Sequence, residues 1–171
     1  MNGLRRVQLL LAALAVLPPA AHVLELPNKL ALDGALWLAV QQHLYRGWGP
    51  AIGAPVEIGA LATSIALALI GRGHRAAARW SGLAATGYAG MIDAFFVFNA
   101  PVNHALGGWT AASLPSDWPL FRLRWEAGHA IAAILAIFAL TAAIRAWLLE
   151  RHGRDVAAGW RERPRHGQTG R

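Results

Sequence analysis

Two pairs of side chains in this chain stand at ligand-like spacing, His22 with Glu25 and Glu126 with His129. Residues three apart on a helix share a face, so each pair presents an imidazole beside a carboxylate. Such pairs on facing helices, with Glu from two more, build the di-iron centres of soluble bundles. His22, Glu25, Glu126 and His129 are therefore the candidate ligands for a metal ion (iron, copper or zinc), although one pair runs in reverse order and both sit at helix ends. Bis-imidazole haem ligation by His22 and His129 is the other metal arrangement open to them. With no cysteine present, disulfides, thiolate metal sites, covalent haem attachment and thiol nucleophiles are excluded. Glu57 and Asp93 lie inside apolar runs, where an ionisable group is a site hypothesis by default. Residues 118–129, WPLFRLRWEAGH, concentrate Arg122, Arg124, Trp125, Glu126 and His129. An Arg there suits an anionic oxygen and a Trp suits a planar ligand. The competing account is a solvated ion pair and hydrogen bonds that only glue helices together.

The elements that must position these groups follow from composition. The 171 residues are 56% apolar and only 15% charged, against roughly 45–50% and about 25% in soluble domains. Crossing ~30 Å of hydrocarbon takes about 20 helical residues, and four stretches qualify: 7–26, 51–70, 82–100 and 127–149. The expected fold is all-α, an integral membrane four-helix bundle in one domain over residues 1–150. Pro18 and Pro19 should kink or divide the first span. A cleaved signal peptide is its rival reading, but Pro-Pro followed by VLELP makes a poor cleavage site. Residues 28–46 read as a short additional helix with Asn28 as N-cap, too polar to span and placed at the membrane interface. Residues 151–171 read as an Arg-rich, disordered cytoplasmic tail.

Cytoplasmic segments of membrane proteins carry the excess of Lys and Arg. With both termini inside, the inner segments hold Arg5, Arg6, Arg72, Arg75, Arg79, Arg145, Arg151, Arg154, Arg161, Arg163, Arg165 and Arg171, twelve of the 16 Lys and Arg. The expectation is a multi-pass protein of the bacterial inner membrane with cytoplasmic ends. The net charge of +7 then marks topology and anionic lipid rather than nucleic acid, which is not an expected partner. At ~1.5 Å rise per residue, Glu57 and Asp93 fall near the outer surface, level with His22, Glu25, Asn99, Asn103, Glu126 and His129. The inner half offers little beyond Ser64 and Thr141. Small-residue stripes run below these groups: Ala60, Ser64 and Ala68 under Glu57, then Gly82, Thr86, Gly90 and Ala94. Under His129 stand Ala133, Ala136, Leu140 and Ala143. They let helices approach closely, within the chain or in a homo-oligomer. Trp37, Trp48, Trp109, Trp118 and Trp125 fall on the outer side, as an aromatic belt would.

The stretches HVLELPNKLAL (22–32), HLYRGW (43–48), FNAPVNHAL (98–106) and W-x-x-x-R-x-R-W-E-x-x-H (118–129) resemble the anthrone-oxygenase-like family of small four-helix membrane proteins. The resemblance covers roughly residues 8–150, and its HxxELPNK opening is closer to the uncharacterised bacterial branch than to the fungal enzymes. It implies an oxygen-dependent oxidoreductase that turns a lipophilic, polycyclic anthrone into a quinone and needs no cofactor. In that chemistry a base removes an acidic CH proton beside a carbonyl, and donors hold the resulting anion. Chemistry consistent with the resemblance can be written with the residues found above: His129 as the base, oriented by Glu126 or Glu57, with Asn99, Asn103 and Arg124 as donors. Trp125 and Trp109 would wall the ring system, with Asp93 also at the substrate.

Two other classes compete with this oxygenase reading, in which the metal pairs supply the only cofactor alternative. One is a non-enzymatic accessory or binding protein, bound to lipid, whose polar cluster is structural. The other is a small proton or solute transporter using Glu57 and Asp93, for which a matching inner path and an inverted repeat are missing from the sequence.

Overall fold

The computed structural model describes residues 2–161. Every regular element among them is helical. Helix α1 covers Asn2–Leu30, α2 Gly34–Ala39, α3 Ala54–Ile70, α4 Arg75–Ala94, α5 Ala100–Leu106 and α6 Trp118–Arg161. Three π-helical turns, Val40–Leu44, Gly49–Gly53 and Phe95–Asn99, extend α2, precede α3 and join α4 to α5. Residues 3–30, 34–70, 75–106 and 118–156 thus form four helical lengths, with mean hydropathy from 1.2 to 2.2 in their most apolar stretches. Each is long and apolar enough to cross a membrane.

The four long helices run up and down in sequence, α1 packing on α3 and α6, and α4 likewise on α3 and α6. Their shared core is made mostly of alanine: Ala12, Ala15, Ala60, Ala84, Ala136, Ala139, Ala142 and Ala143, filled by Tyr88 and Met91. Small side chains bring the backbones close. The large apolar residues point outward instead, Leu24 being 81% and Ile134 69% exposed. The α4 stripe differs from the one the sequence suggested. Ala77, Ser81, Ala84, Tyr88 and Met91 face the core, whereas Thr86 is exposed and nothing approaches Gly82.

Three local expectations change. Helix α1 continues without division through Pro18 and Pro19. Asn28 does not cap a second helix, because it lies in the last turns of α1; the N-cap is Asp33, whose Oδ1 accepts from Leu36 N at 2.8 Å. Helix α6 extends through Arg161, well into the stretch expected to be a disordered tail, and residues 162–171 lie outside the described residues.

Helix α2 forms a lid of aromatic residues over one end of the bundle. Trp37 and Leu38 pack with Val102, Leu106 and Trp125, flanked by Trp109, Trp118 and Phe121. Gly47, between the first two π turns, has a φ of 81°, which is left-handed and favours glycine.

Candidate functional site

Beside this aromatic cluster lies a cavity of about 720 Å³, bordered by residues 41–53 and not by α2 itself. All three π-helical turns frame it: Gln41 and His43 from the first, Pro50 and Ile52 from the second, Phe95 and Asn99 from the third. An extra residue per turn pushes backbone and side chains off the regular helical register, and such turns recur at functional sites. Helix α1 contributes Pro18, Pro19 and His22, α3 contributes Glu57, and α6 contributes Trp125, His129 and Ala132.

The aromatic wall is continuous. Trp125 stacks on Tyr45 with centroids 5.9 Å apart and an interplanar angle of 23°. Its other neighbours are His129 at 4.0 Å and His22 at 4.7 Å, and the two imidazoles are themselves 4.2 Å apart. Trp125 is held in place by its indole Nε1, which donates to Asn103 Oδ1 at 2.9 Å. Asn99 fixes the next residue of the wall. Its Nδ2 donates to Trp125 O at 2.9 Å and stands 2.6 Å from His129 Nδ1. The bond to a carbonyl identifies that atom as the amide nitrogen, so Nδ1 accepts and the neutral ring carries its proton on Nε2. Close approach of α6 makes this possible: a Cβ on Gly128 would run into Asn99 Oδ1 and Phe98 Cβ.

Behind the wall stands Lys29, only 4% exposed. Its Nζ lies 2.8 Å from Glu126 Oε2, 3.5 Å from His22 Nδ1 and 3.9 Å from Glu25 Oε2. It is also 5.0 Å from the centre of the Trp125 ring, within cation–π range. Glu25 is half-exposed and accepts from Tyr45 Oη at 2.6 Å. The second oxygen of Glu126 is buried without a partner among the described residues. Glu57 differs from both: half-buried at the cavity, it is reached by none of the described ion pairs or hydrogen bonds.

The expected metal set, His22, Glu25, Glu126 and His129, is not arranged as a ligand shell. The place among His22, Glu25 and Glu126 is taken by the Lys29 ammonium, and His129 Nδ1 is committed to Asn99. Among the described residues no three His, Asp or Glu side chains converge as a cation would require. Nor do His22 and His129, with touching rings, bracket the space for a macrocycle. Glu126 binds Lys29 rather than orienting His129, and the orienting partner is Asn99.

Three residues expected at the substrate lie elsewhere. Asp93 is exposed on α4. Arg124, also exposed, donates to Val97 O at 2.6 Å. Trp109 packs edge-on against Phe121 in the lid, centroids 4.9 Å apart. Arg122 instead closes the C-terminus of α1, donating to Lys29 O and Leu32 O at 3.1 and 3.0 Å.

Sequence reasoning missed Lys29, Tyr45 and Gln41 as site residues. Lys29 follows Glu25 by four and His22 by seven, a single helix face that its use as a topology marker hid. It also missed a polar cluster at the far end of the bundle. Arg5 pairs there with Glu150, both 2% exposed. Arg5 also donates to Gln8 Oε1 at 2.5 Å and Ser81 Oγ at 3.1 Å, and Gln8 Nε2 to Ser64 Oγ at 2.9 Å. The chain matches no protein-family model, no curated protein and no solved structure.

Proposed function

We propose that the chain is an integral membrane oxidoreductase that uses molecular oxygen on a flat, lipophilic substrate of the anthrone type, bound in the cavity between residues 41–53 and the wall of Trp125 and His129. The observation that carries this reading is Glu57. It is a carboxylate without countercharge, opening onto a cavity of about 720 Å³ beside a stacked wall of Trp125, Tyr45 and two histidines. That volume lies within the roughly 300–1,000 Å³ of small-molecule sites. The resemblance of residues 98–106 and 118–129 to the anthrone-oxygenase-like family supports the substrate class.

The geometry shifts the roles within the site. His129 accepts at Nδ1, which leaves Nε2–H as a donor and makes the ring an anion-holding group. The base is then Glu57, which takes a proton from the CH₂ beside the substrate carbonyl. The amide nitrogen of Asn103, whose oxygen is engaged by Trp125, is a second donor for the enolate oxygen. The anion passes one electron to O₂, and the radical and superoxide combine to a peroxide anion. Loss of water, carrying the proton from Glu57, leaves the new carbonyl, so CH₂ and O₂ become C=O and H₂O. Lys29 behind the wall adds positive potential where negative charge develops.

Outward-facing leucines and isoleucines around an alanine core support placement in lipid. The Arg distribution supports a reading with both termini in the cytoplasm and the cavity end at the outer face of a bacterial inner membrane, α2 lying at the interface. Oxygen uptake by the detergent-purified protein given anthrone tests the activity. One O₂ consumed per quinone formed, at a rate proportional to protein, is the expected result; uptake equal to a protein-free blank overturns it.

A further inference from the structure

Two consecutive glutamines in the first π-helical turn are used differently. Gln42 Nε2 donates to Leu106 O at 2.8 Å and Trp109 O at 2.9 Å, tying the turn to the end of α5. Gln41 is 8% exposed and makes no hydrogen bond among the described residues, its Nε2 wholly buried. The indole Nε1 of Trp37, one turn earlier on the same face, is equally buried and without an acceptor. Buried polar groups are nearly always partnered, so the Gln41 amide at the cavity calls for an acceptor that the described residues do not provide; Trp37 does not line the cavity.

Gln41 lines the cavity, and Tyr45, one turn later, stacks on Trp125. The cavity lining therefore holds the Gln41 amide together with the aromatic wall of Tyr45 and Trp125. No partner holds either end of that amide, so its rotation can turn the nitrogen towards the cavity. A plain aromatic hydrocarbon would gain from the wall alone, whereas an aryl ketone would gain from wall and amide together.

We propose that Gln41 orients the cavity's ligand and selects oxygenated aromatics, donating its side-chain amide to a carbonyl or phenolate oxygen while the rings lie against Trp125. This rests on the cavity being a binding site for a flat aromatic molecule, and adds the group that reads its oxygen. Binding of anthraquinone and of anthracene to the detergent-purified full chain, followed by quenching of Trp fluorescence, separates the two claims. The native protein should bind anthraquinone about tenfold more tightly than anthracene. Gln41→Leu should bring the ratio close to one without weakening anthracene. Its thermal stability should be unchanged or higher, because an unpartnered buried amide is removed. Gln41→Met, nearer in shape, gives the same reading should the Leu variant fail to fold. A native ratio retained in the variant, or equal binding of both rings by the native protein, overturns the role of Gln41 while leaving the cavity as a binding site. Binding of neither ring overturns the cavity reading and this inference with it.

Discussion

The bundle holds one buried polar cluster at each end, and the two are built from similar residues to different purposes. At the Arg5 end, a guanidinium, a carboxylate, an amide and two hydroxyls engage one another across all four long helices. At the other end, Lys29 pairs with Glu126, yet Glu126 Oε1, Gln41 Nε2 and Trp37 Nε1 lack partners and Glu57 faces a cavity alone. A buried polar group costs free energy unless it is hydrogen-bonded. The first cluster is closed in those terms and specifies how four helices meet. The second is left open where regular helix gives way to π turns.

The largest effect expected is at the closed end. Arg5→Met or Glu150→Leu alone leaves a buried charge uncompensated and should destabilise the detergent-solubilised protein by about 3–5 kcal/mol. The double variant should recover most of that loss, and unfolding midpoints of the three variants check it. A double variant as unstable as either single one would mean that the pair does more than compensate its own charges. Lys29→Met removes the charge-assisted bond to Glu126 and should cost about 1.5–3 kcal/mol, read from the same unfolding curves. Gly128→Ala drives a methyl into Asn99 and Phe98 and should cost about 1–3 kcal/mol. It should also release His129 from Asn99, visible as a changed imidazole nitrogen shift in NMR. Smallest is Asp33→Ala, which deletes the α2 cap for about 1 kcal/mol; greater protease sensitivity of the lid would report it.

Much of the architecture was legible because four helical lengths are apolar enough to cross a membrane and stand out in hydropathy alone, as does the level shared by Glu57, His22, Asn99 and His129. The π turns were not legible, since no residue type commits a turn to one extra residue. Gln41 and Gln42 of the first π turn both line the cavity, yet only Gln42 is tied to backbone carbonyls. The pairing of Arg5 with Glu150 joins residues near opposite ends of the chain, and a topology count reads Arg5 only as a basic flank. Asp93, Arg124 and Trp109 are not among the residues lining the cavity. Sequence depth gives a residue's level along a helix but not its face.

The measurement closest to the central claim is anthrone-dependent oxygen uptake by Glu57→Gln beside the double variant Arg5→Met/Glu150→Leu. Loss of the carboxylate should lower the rate by roughly 10²–10⁴-fold with stability within about 0.5 kcal/mol of native, while the double variant keeps the native rate. Native uptake by Glu57→Gln, or its loss only in the double variant, would contradict the assignment of the open end as the working site.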